Sequence, residues 1–436
     1  MNVEHLKKKI KDKRAVIGVI GLGYVGLPLA LTFAKKGFKV VGIDIDRDRI
    51  QNIRKGISYI TDVSHQELKC VLKNQRFEAT TDVKFIKRLD VVIICVPTPL
   101  GKNREPDISY IRQAVTKVEN NIRKGQMVVL ESTTYPGTTR EILLPMLEST
   151  GLKEGKDFYL AFSPERIDPG NEVYKTENTP KIIGGISRKS TQLAKFLYEQ
   201  VISEVVAVSS ASAAEMVKLL ENTFRIVNIA LVNELTTLCG ELGLDIWEII
   251  DAAKTKPYGF MPFYPGPGVG GHCIPVDPLY LSWKAKEYGF ETKFINLASF
   301  INEAMPHYVV KQLERVLARK KKNIKGATII AVGVAYKRDV KDLRESPALE
   351  VMHILKRRGA KLSFYDPYFP YLKIGDIDLK RTNLDKRSLK NNDCVLVLAD
   401  HSNVDYRLIA KNANLILDTR NIFEKLGIRS KSITRL

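Results

Sequence analysis

One cysteine, Cys273, lies in a stretch rich in glycine and proline, PGPGVGGHCIPVDP, which spans residues 265–278. Glycines let backbone amides come close to a bound substrate, so a cysteine in such a loop can be held at an open site as a nucleophile. The alternative is a small buried hydrophobic residue, which is the usual role of an isolated cysteine. We favour the nucleophile because of the motifs that accompany it elsewhere in the chain.

The most informative of these motifs is a glycine turn near the N-terminus. The segment AVIGVIGLGYVGLPLALTFAKKGFKVVGIDID predicts a strand at 16–20, a helix at 27–36 and a strand at 39–43 that ends at Asp44. Gly21, Gly23 and Gly26 have the spacing G-x-G-x-x-G, in which the backbone and the helix N-terminus receive the pyrophosphate of a dinucleotide. Asp44 would bind the ribose hydroxyls and repel a 2′-phosphate, so the pattern favours NAD over NADP.

The same segment has a competing interpretation, because residues 15–34 are uncharged and follow a lysine-rich start. A signal peptide or membrane span has that pattern. Three glycines and Pro28 interrupt the run at the spacing of a nucleotide turn, and the chain has no other long apolar run. We therefore expect a cytoplasmic protein with no membrane partner.

Length and composition indicate an ordinary globular enzyme. With 436 residues, 44% of them hydrophobic, the chain can bury more than one core and should form two or three domains. The six histidines show no metal-ligand spacing, so we predict no metal site. The cysteines are odd in number and widely scattered, which argues against a disulfide framework: Cys70, Cys95, Cys239, Cys273 and Cys394.

The formal charge of +20 raises the possibility of a nucleic-acid partner, most strongly at the run ARKKKNIK over 318–325. No nucleic-acid fold signature accompanies it, and the run resembles the solvated end of a helix. We predict no nucleic-acid partner. Anionic small molecules, namely a pyrophosphate cofactor and a second phosphorylated ligand, explain the charge better.

Strands and helices alternate through the first half of the chain, which predicts a doubly wound parallel sheet. Further strands are expected at 90–99, 127–133 and 158–166. Thr98 and Thr133 fall at the carboxyl ends of two of them, where open α/β sheets bind ligands.

Long helical runs begin at residue 209 and carry more apolar positions than one core requires, which predicts self-association. Lys218 and Asn222 are four residues apart, so they share a helix face where a cation and an amide could reach one oxygen. The alternative is a pair of solvent-facing polar side chains.

A second strand-turn-helix-strand pattern follows at 327–365 and ends at Asp366. A strand is predicted at 327–332, a helix at 347–358 and a strand at 361–365. Its turn lacks the triple glycine but contains Lys337 and Arg344, so we expect charged side chains to hold a different nucleotide there. The fold class is therefore α/β: two Rossmann-like doubly wound parallel-sheet domains joined by an all-helical central domain.

These motifs, in this order, resemble the UDP-glucose/GDP-mannose dehydrogenase family over nearly the whole chain. The matching segments are GLGYVGLPLA, PTP, ESTTYPGTT, FSPER, EMVKLLENTFR, GPGVGGHCIPVDP and GVAYKRDVKDLRESPA. SPERIDPG and the run from KPYGFMPFYPG to PLYLSWKA are most similar to UDP-N-acetylglucosamine 6-dehydrogenases of surface-polysaccharide pathways. The resemblance implies an NAD-binding domain at 1–205, a helical dimerisation domain at 206–315 and a UDP-sugar-binding domain at 316–436, in a homodimer formed through the central helices.

The resemblance also implies the reaction: two NAD-dependent oxidations convert the C6 alcohol of a UDP-sugar into a carboxylate. The intermediate aldehyde must become a tetrahedral adduct before it can lose a second hydride, and Cys273 would form that thiohemiacetal and then a thioester. Lys218 and Asn222 would stabilise the oxyanion, an effect of about 3 kcal/mol per donor. The candidate general bases are Asp277 and Glu165, with Thr133 acting through a water and Lys218 able to share the role.

Ligand contacts carry over to matching positions of this chain. The implied NAD contacts are Gly21, Gly23, Val25, Gly26, Asp44, Arg49, Thr98, Thr133 and Arg344. The implied UDP-sugar contacts are Glu165, Arg166, Lys218, Asn222, Tyr264, Gly268, Lys337 and Arg420.

Two positions depart from the UDP-glucose members. Pro169 replaces a second glutamate, which argues against plain UDP-glucose as substrate, and Pro257 stands where those members have an arginine that reaches a neighbouring subunit. UDP-N-acetylmannosamine and UDP-glucose remain alternative substrates. Two other classes stay open: a two-electron dehydrogenase of the hydroxyacid type, and an NAD-binding protein without catalysis.

Overall fold

The structure is a computed structural model that describes residues 3–60, 63–101, 104–168, 171 and 173–436. The chain forms two compact units. The first comprises Met1–Glu221 and Leu279–Phe290, and the second comprises Asn222–Pro278 and Glu291–Leu436.

The described residues of the first unit alternate between strands and helices. Its strands are β1 Val16–Ile20, β2 Lys39–Ile43, β3 Phe77–Thr80, β4 Val91–Ile94, β5 Met127–Leu130, β6 Tyr159–Phe162, β7 Lys181–Gly185 and β8 Val205–Ala207. Its helices are α1 Val3–Lys11, α2 Gly26–Lys35, α3 Arg47–Arg54, α4 His65–Lys73, α5 Ser109–Glu119, α6 Leu144–Glu148 and α7 Arg188–Tyr198, with a 3-10 helix at Val83–Arg88 and a π-helical turn at Thr139–Leu143.

These strands form one sheet in the order β3-β2-β1-β4-β5-β6-β7-β8, in which neighbours are parallel except for β6 and β7. Successive residues of a strand point to opposite faces, so Ile17 and Val19 of β1 enter one core, with α2, while Ile20 enters the other. Both faces are therefore buried, as in a doubly wound fold.

Several predicted strands are longer than the observed ones. Those expected at 90–99, 127–133 and 158–166 correspond to the four-residue strands β4, β5 and β6. The apolar residues of each motif form the strand, whereas the polar residues that follow form loops at the carboxyl edge. The antiparallel strand β7 was not predicted.

The second unit contains most of the helical region and a second sheet. Helix α8, Ala211–Leu242, contains the division between the units. It is followed by α9 Ile246–Ala253, by α10 Asp277–Lys286, which begins in the second unit and lies mostly in the first, and by α11 Lys293–Ala318. The remaining helices are α12 Pro347–Arg357, α13 Lys386–Asn391, α14 Tyr406–Asn412 and α15 Ile422–Lys425. The strands are β9 Thr328–Val332, β10 Lys361–Tyr365, β11 Tyr371–Ile374, β12 Ile377–Lys380, β13 Cys394–Val397, β14 Ile416–Asp418 and β15 Ile433–Arg435.

The second sheet has the order β10-β9-β13-β14-β15 and is parallel throughout, while β11 and β12 form a separate hairpin. Residues 211–318 are all described and contain no strand. The predicted fold class is thus confirmed: two Rossmann-like parallel-sheet regions with a helical region between them in the chain. Within the described residues, every helix is too short or too polar to cross a membrane.

Candidate active site

The first glycine turn leaves an open cradle between two crowded positions. Gly21 has φ of 90°, and a Cβ there would lie 2.5 Å from the carbonyl oxygen of Cys95. A Cβ at Gly26 would lie 1.8 Å from the carbonyl oxygen of Gly21, whereas one at Gly23 would meet nothing within 4 Å. The outer glycines therefore let the backbone pack, and the middle one leaves space that fits a pyrophosphate.

Asp44 lies beside this turn at the end of β2. Its carboxylate accepts hydrogen bonds from the amides of Leu22, at 2.7 Å, and Asp46, at 2.9 Å. Arg49, in the first turn of α3, places its Nη1 3.5 Å from Asp44 Oδ2. The turn, Asp44 and Arg49 come together as predicted for the ribose end of a dinucleotide, and Val25 directly precedes α2.

Tyr59 supports the same turn and was not predicted. Its hydroxyl donates to the carbonyl oxygen of Leu22 at 2.6 Å, and the guanidinium of Arg49 lies 5.8 Å from its ring centroid. Burial and the nearby Asp44 raise the pKa of Tyr59, so the phenol stays neutral and keeps its proton for this hydrogen bond.

Thr98, Thr133 and Glu165 follow the adjacent strands β4, β5 and β6 and so share the carboxyl edge of the sheet. The amide of Val96 donates to Ser132 Oγ at 2.9 Å and joins the first two loops. The fully buried Tyr280 donates to the carbonyl oxygens of Thr98 and Pro99, the latter at 3.1 Å. These contacts hold the edge in place.

The loop after β6 fixes Glu165 through its own backbone. Glu165 Oε1 accepts hydrogen bonds from the amides of Arg166, at 2.7 Å, and Ile167, at 2.6 Å. Arg166, a predicted sugar contact, places its Nη2 2.7 Å from Glu221 Oε1 and donates to the carbonyl oxygen of Pro180. Pro169, the predicted departure from UDP-glucose members, lies outside the described residues.

The second unit brings together three of the predicted catalytic residues. Asn222 Nδ2 donates to Asp277 Oδ2 at 2.6 Å, and both side chains are buried. The amide of Asp277 donates to the carbonyl oxygen of Cys273 at 2.8 Å, so the cysteine lies in a tight turn at the start of α10 with its side chain exposed. Lys218 is buried one turn before Asn222 on α8, in the part of that helix that belongs to the first unit.

The glycines before Cys273 pack against the turn that follows β9. The amide of Gly271 donates to the carbonyl oxygen of Arg344 at 3.0 Å, and a Cβ at Gly271 would lie 2.7 Å from the ring of Tyr336. Arg344, a predicted NAD contact, lies in this turn of the second unit, where its Nη2 is 2.7 Å from Asp342 Oδ2. Burial and Arg344 lower the pKa of His272, so this histidine is neutral at physiological pH.

The predicted UDP-sugar residues of the second unit also come together in part. A Cβ at Gly266 would lie 2.6 Å from Arg420 Nη1, so the guanidinium rests against the loop that contains Tyr264 and Gly268. Lys337 follows β9 and Arg420 follows β14, so both lie at the carboxyl edge of the second sheet. Tyr264 stacks on Trp247 with ring centroids 5.9 Å apart.

Two buried asparagines hold this loop and were not predicted. Asn233 of α8 accepts a hydrogen bond from the amide of Gly266 at 3.1 Å and donates to Asn302 Oδ1 of α11 at 2.8 Å. The signal in the sequence is an asparagine within a long and mainly apolar helical run, because a buried amide needs partners. Among the described residues, no group of three or more side chains could hold a metal ion.

Three profiles of one family match consecutive parts of the chain. The NAD-binding domain of the UDP-glucose/GDP-mannose dehydrogenase family matches residues 15–202, the central domain 212–304 and the UDP-binding domain 330–425. The first covers the glycine turn, and the third covers Lys337 and Arg420.

Individual relatives agree with this result. The UDP-N-acetyl-D-mannosamine dehydrogenase of Pyrococcus horikoshii is 38% identical over 417 residues, which cover 94% of this chain and 96% of the relative. The UDP-N-acetyl-D-glucosamine 6-dehydrogenase of Pseudomonas aeruginosa is 36% identical over 354 residues, covering 81% and 82%.

A solved structure of the P. horikoshii UDP-D-ManNAc dehydrogenase superposes with a TM-score of 0.86 at 36% identity and covers 96% of this chain and 98% of that one. With the glycine turn and Asp44 arranged for NAD, these findings show that the chain belongs to the UDP-glucose/GDP-mannose dehydrogenase family of NAD-dependent UDP-sugar 6-dehydrogenases.

Proposed function

We propose that the protein oxidises the C6 alcohol of a UDP-N-acetylhexosamine to the uronate, in two NAD-dependent steps through a thioester on Cys273. The observation that supports this most is the arrangement of Asn222, Asp277 and Cys273. An exposed cysteine lies in a tight turn joined to a buried carboxylate, which is itself bound by a buried amide. A two-electron hydroxyacid dehydrogenase has no use for such a cysteine.

Each residue has a distinct task in this proposal. The turn formed by Gly21, Gly23 and Gly26 would hold NAD, which would supply the hydride acceptor for each oxidation. Cys273 Sγ attacks the C6 aldehyde, and the resulting thiohemiacetal is oxidised to a thioester that water cleaves to the acid. Lys218 and Asn222 stabilise the negative oxygen of the tetrahedral intermediates.

Proton transfer falls to the carboxylates. Asp277 lies in the same turn as Cys273, to whose carbonyl oxygen its amide donates a hydrogen bond. Its carboxylate therefore suits activation of the hydrolytic water. Glu165 and Thr133, at the edge of the first sheet, suit the sugar alcohol in the first oxidation. Arg344 and Thr98 remain proposed NAD contacts.

For the nucleotide, we propose that Tyr264, Gly268, Lys337 and Arg420 bind the UDP group. The two cations at the carboxyl edge of the second sheet would neutralise the pyrophosphate. Arg166 is the proposed contact to the sugar.

For the sugar, the relatives support an N-acetylated substrate. Those named above act, by their names, on N-acetylmannosamine and N-acetylglucosamine. We propose UDP-N-acetylmannosamine first, because further archaeal relatives carry that name, and UDP-N-acetylglucosamine, the substrate expected from the sequence, second.

We further propose a cytoplasmic homodimer with domains at 1–205, 206–315 and 316–436. Helix α8 supports the dimer, because large apolar side chains lie exposed along it at helical spacing: Met216, Leu220, Phe224, Leu231, Leu235, Leu238 and Leu242. Sedimentation of the wild type and of Leu235→Glu would test this, with a monomeric wild type contradicting it.

The decisive experiment measures NADH formed per UDP-sugar consumed, with UDP-N-acetylmannosamine, UDP-N-acetylglucosamine, UDP-glucose and GDP-mannose each supplied in limiting amount. We expect two NADH per molecule of one N-acetylated sugar. One NADH per molecule, with an aldehyde or ketone as the end product, would overturn the four-electron proposal.

A further inference from the structure

A cluster of buried charges adjoins Glu165 at the carboxyl edge of the first sheet. Lys181, the first residue of β7, places its Nζ 2.7 Å from Glu131 Oε2 and 3.5 Å from Glu165 Oε2. The side chains of Lys181 and Glu131 are 6% and 0% exposed. Tyr198, the last residue of α7, is fully buried and donates its hydroxyl proton to Glu131 Oε1. Burial raises the pKa of Glu131 and the charge of Lys181 opposes that rise, so two carboxyl groups share one ammonium group away from water.

The other titratable groups near this cluster leave its charge unchanged. Burial and Glu131 raise the pKa values of Cys95 and Tyr198, so both stay neutral. Burial alone would lower the pKa of Lys181, but the two glutamates outweigh it and raise the pKa, so Lys181 stays cationic. Arg166 faces Glu165 only through its amide, because its guanidinium pairs with Glu221.

The two oxygens of Glu165 differ in their environment. Oε1 accepts two backbone hydrogen bonds, whereas Oε2 is buried and accepts none from the described residues, with Lys181 Nζ at 3.5 Å. A buried carboxylate oxygen without a donor is costly unless a cation offsets it or a ligand supplies a proton. Oε2 is thus the atom of this loop most suited to take a proton.

We propose that Lys181 is a positioning residue for the sugar oxidation: it divides its charge between Glu131 and Glu165, and the part of that charge that acts on Glu165 prepares Oε2 to accept the alcohol proton. The inference rests on the proposed function. In the first oxidation the C6 O–H proton passes to Glu165 Oε2, the C6 hydride leaves to the bound NAD, and the O–H electron pair forms the aldehyde C=O. Glu165 then returns the proton to water.

Opposite charge changes in the cluster should move the pH profile in opposite directions. Removal of a cation beside a carboxyl group favours the neutral acid, so in Lys181→Met the acidic limb of kcat/KM for the UDP-sugar, at saturating NAD, should move up by about one pH unit or more. Lys181→Arg should restore the limb. In Glu131→Gln the competing carboxylate is gone and the charge of Lys181 acts on Glu165 alone. The acidic limb of kcat/KM should therefore move to lower pH.

Lys284 offers a matched control in the same unit. It is 8% exposed and pairs with two glutamates, Glu141 and Glu287, each at 2.7 Å, but neither is Glu165. Lys284→Met should leave the acidic limb at the wild-type pH. An equal shift in this variant would mean that loss of any buried cation moves the profile, and the proposal for Lys181 would be wrong.

The Glu131→Gln arm decides the question if Lys181→Met does not fold. A limb that stays in place, or moves up, in Glu131→Gln overturns the positioning role. The NADH stoichiometry of the wild type is read separately: two NADH per sugar with unshifted profiles rejects only the role of Lys181, whereas fewer than two rejects the four-electron function itself.

Discussion

The chain contains two strand-turn-helix-strand segments that each end in an aspartate, and the two aspartates differ in their exposure and in their hydrogen-bond partners. Asp44 is 6% exposed, lies beside the open position of Gly23 and pairs with Arg49 at the surface. Asp366 is 0% exposed and accepts hydrogen bonds from the amides of Val334 and Tyr368. Only the first aspartate has a face left for a ligand.

His401 completes the burial of the second aspartate. Its Nε2 lies 3.0 Å from Asp366 Oδ2, while its Nδ1 accepts from the amide of Asp339, so the Nε2 proton is donated to the carboxylate. The turn after β9 is thus closed by its own aspartate. This segment packs against the cysteine loop through Tyr336 and Arg344, and its aspartate, unlike Asp44, is used entirely in contacts within the fold.

The largest expected effect is that of Cys273→Ser, which should remove the chemistry and leave NAD binding at the glycine turn intact. Cys273→Ser should lower formation of the acid at least about a thousandfold, because a serine hydroxyl is a far weaker nucleophile towards the aldehyde. NAD affinity, measured by calorimetry, should stay within about twofold, since the glycine turn lies in the other unit. Cys70→Ser changes another exposed cysteine and serves as control. Full acid formation by Cys273→Ser would contradict the role of the thiol.

Substitution of Asp366 should lower the stability of the fold more than it weakens the binding of NAD. Asp366→Ala leaves several buried donors without an acceptor, and we expect the free energy of unfolding to fall by about 3 kcal/mol. Urea unfolding would measure this. Asp44→Ala, the matched change in the first segment, should cost clearly less stability because its surroundings are partly open to water. Equal losses would remove the distinction between the two aspartates.

A glycine in each of the two turns should respond differently to a substitution by alanine. Gly333 has φ of 80°, and a Cβ there would lie 2.3 Å from the carbonyl oxygen of Ala399, so Gly333→Ala should destabilise the fold by about 2 kcal/mol. Gly23→Ala should leave unfolding nearly unchanged and weaken NAD binding about tenfold, because the new methyl group occupies the open cradle. A destabilised Gly23→Ala with unchanged NAD affinity would reverse this assignment.

Asp44→Ala is expected to act on cofactor choice. NAD binding should weaken about tenfold, and the preference against NADP should relax because the repulsion of a 2′-phosphate is lost. The ratio of kcat/KM for NAD and NADP measures this directly. An unchanged ratio would show that Asp44 does not set the specificity.

The smallest effect concerns pH. Burial alone would raise the pKa of Asp366, but hydrogen bonds from His401 and the backbone outweigh it, so the folded pKa lies below the usual value of about 3.9. The stabilisation is present above about pH 4 and is lost as pH falls through the folded pKa, at about 1.4 kcal/mol per unit of lowering. The stability difference between wild type and Asp366→Asn should therefore shrink from pH 6 to pH 3. A constant difference would contradict the lowered pKa.

The parts of the fold that sequence reasoning predicted well are those encoded by neighbouring residues. Strands β1, β2 and β10 have the predicted bounds, because each is a short run of residues between turn residues that mark both of its ends. The lengths of β4, β5 and β6 were overestimated, since apolar content does not show where a strand stops pairing.

In the candidate site, too, contacts between residues far apart in the chain were missed by sequence reasoning. Tyr280 and Thr98 are 182 residues apart, Lys181 and Glu131 are 50 apart, and Asn233 and Asn302 are 69 apart. None of these pairs has a local pattern, and none was predicted. The motif residues around Gly21 and Cys273 were found because glycine spacing is itself a local requirement of the backbone.

The family, the cofactor turn and the two strand-turn-helix-strand segments follow from the amino-acid sequence, because they depend on backbone requirements that residues a few positions apart satisfy. Tertiary structure alone decided which aspartate keeps a face for a ligand and which cation adjoins Glu165. Burial and ion pairing are set by side chains that only folding brings together, so two similar strand-turn-helix-strand segments, which end at Asp44 and Asp366, have different chemistry.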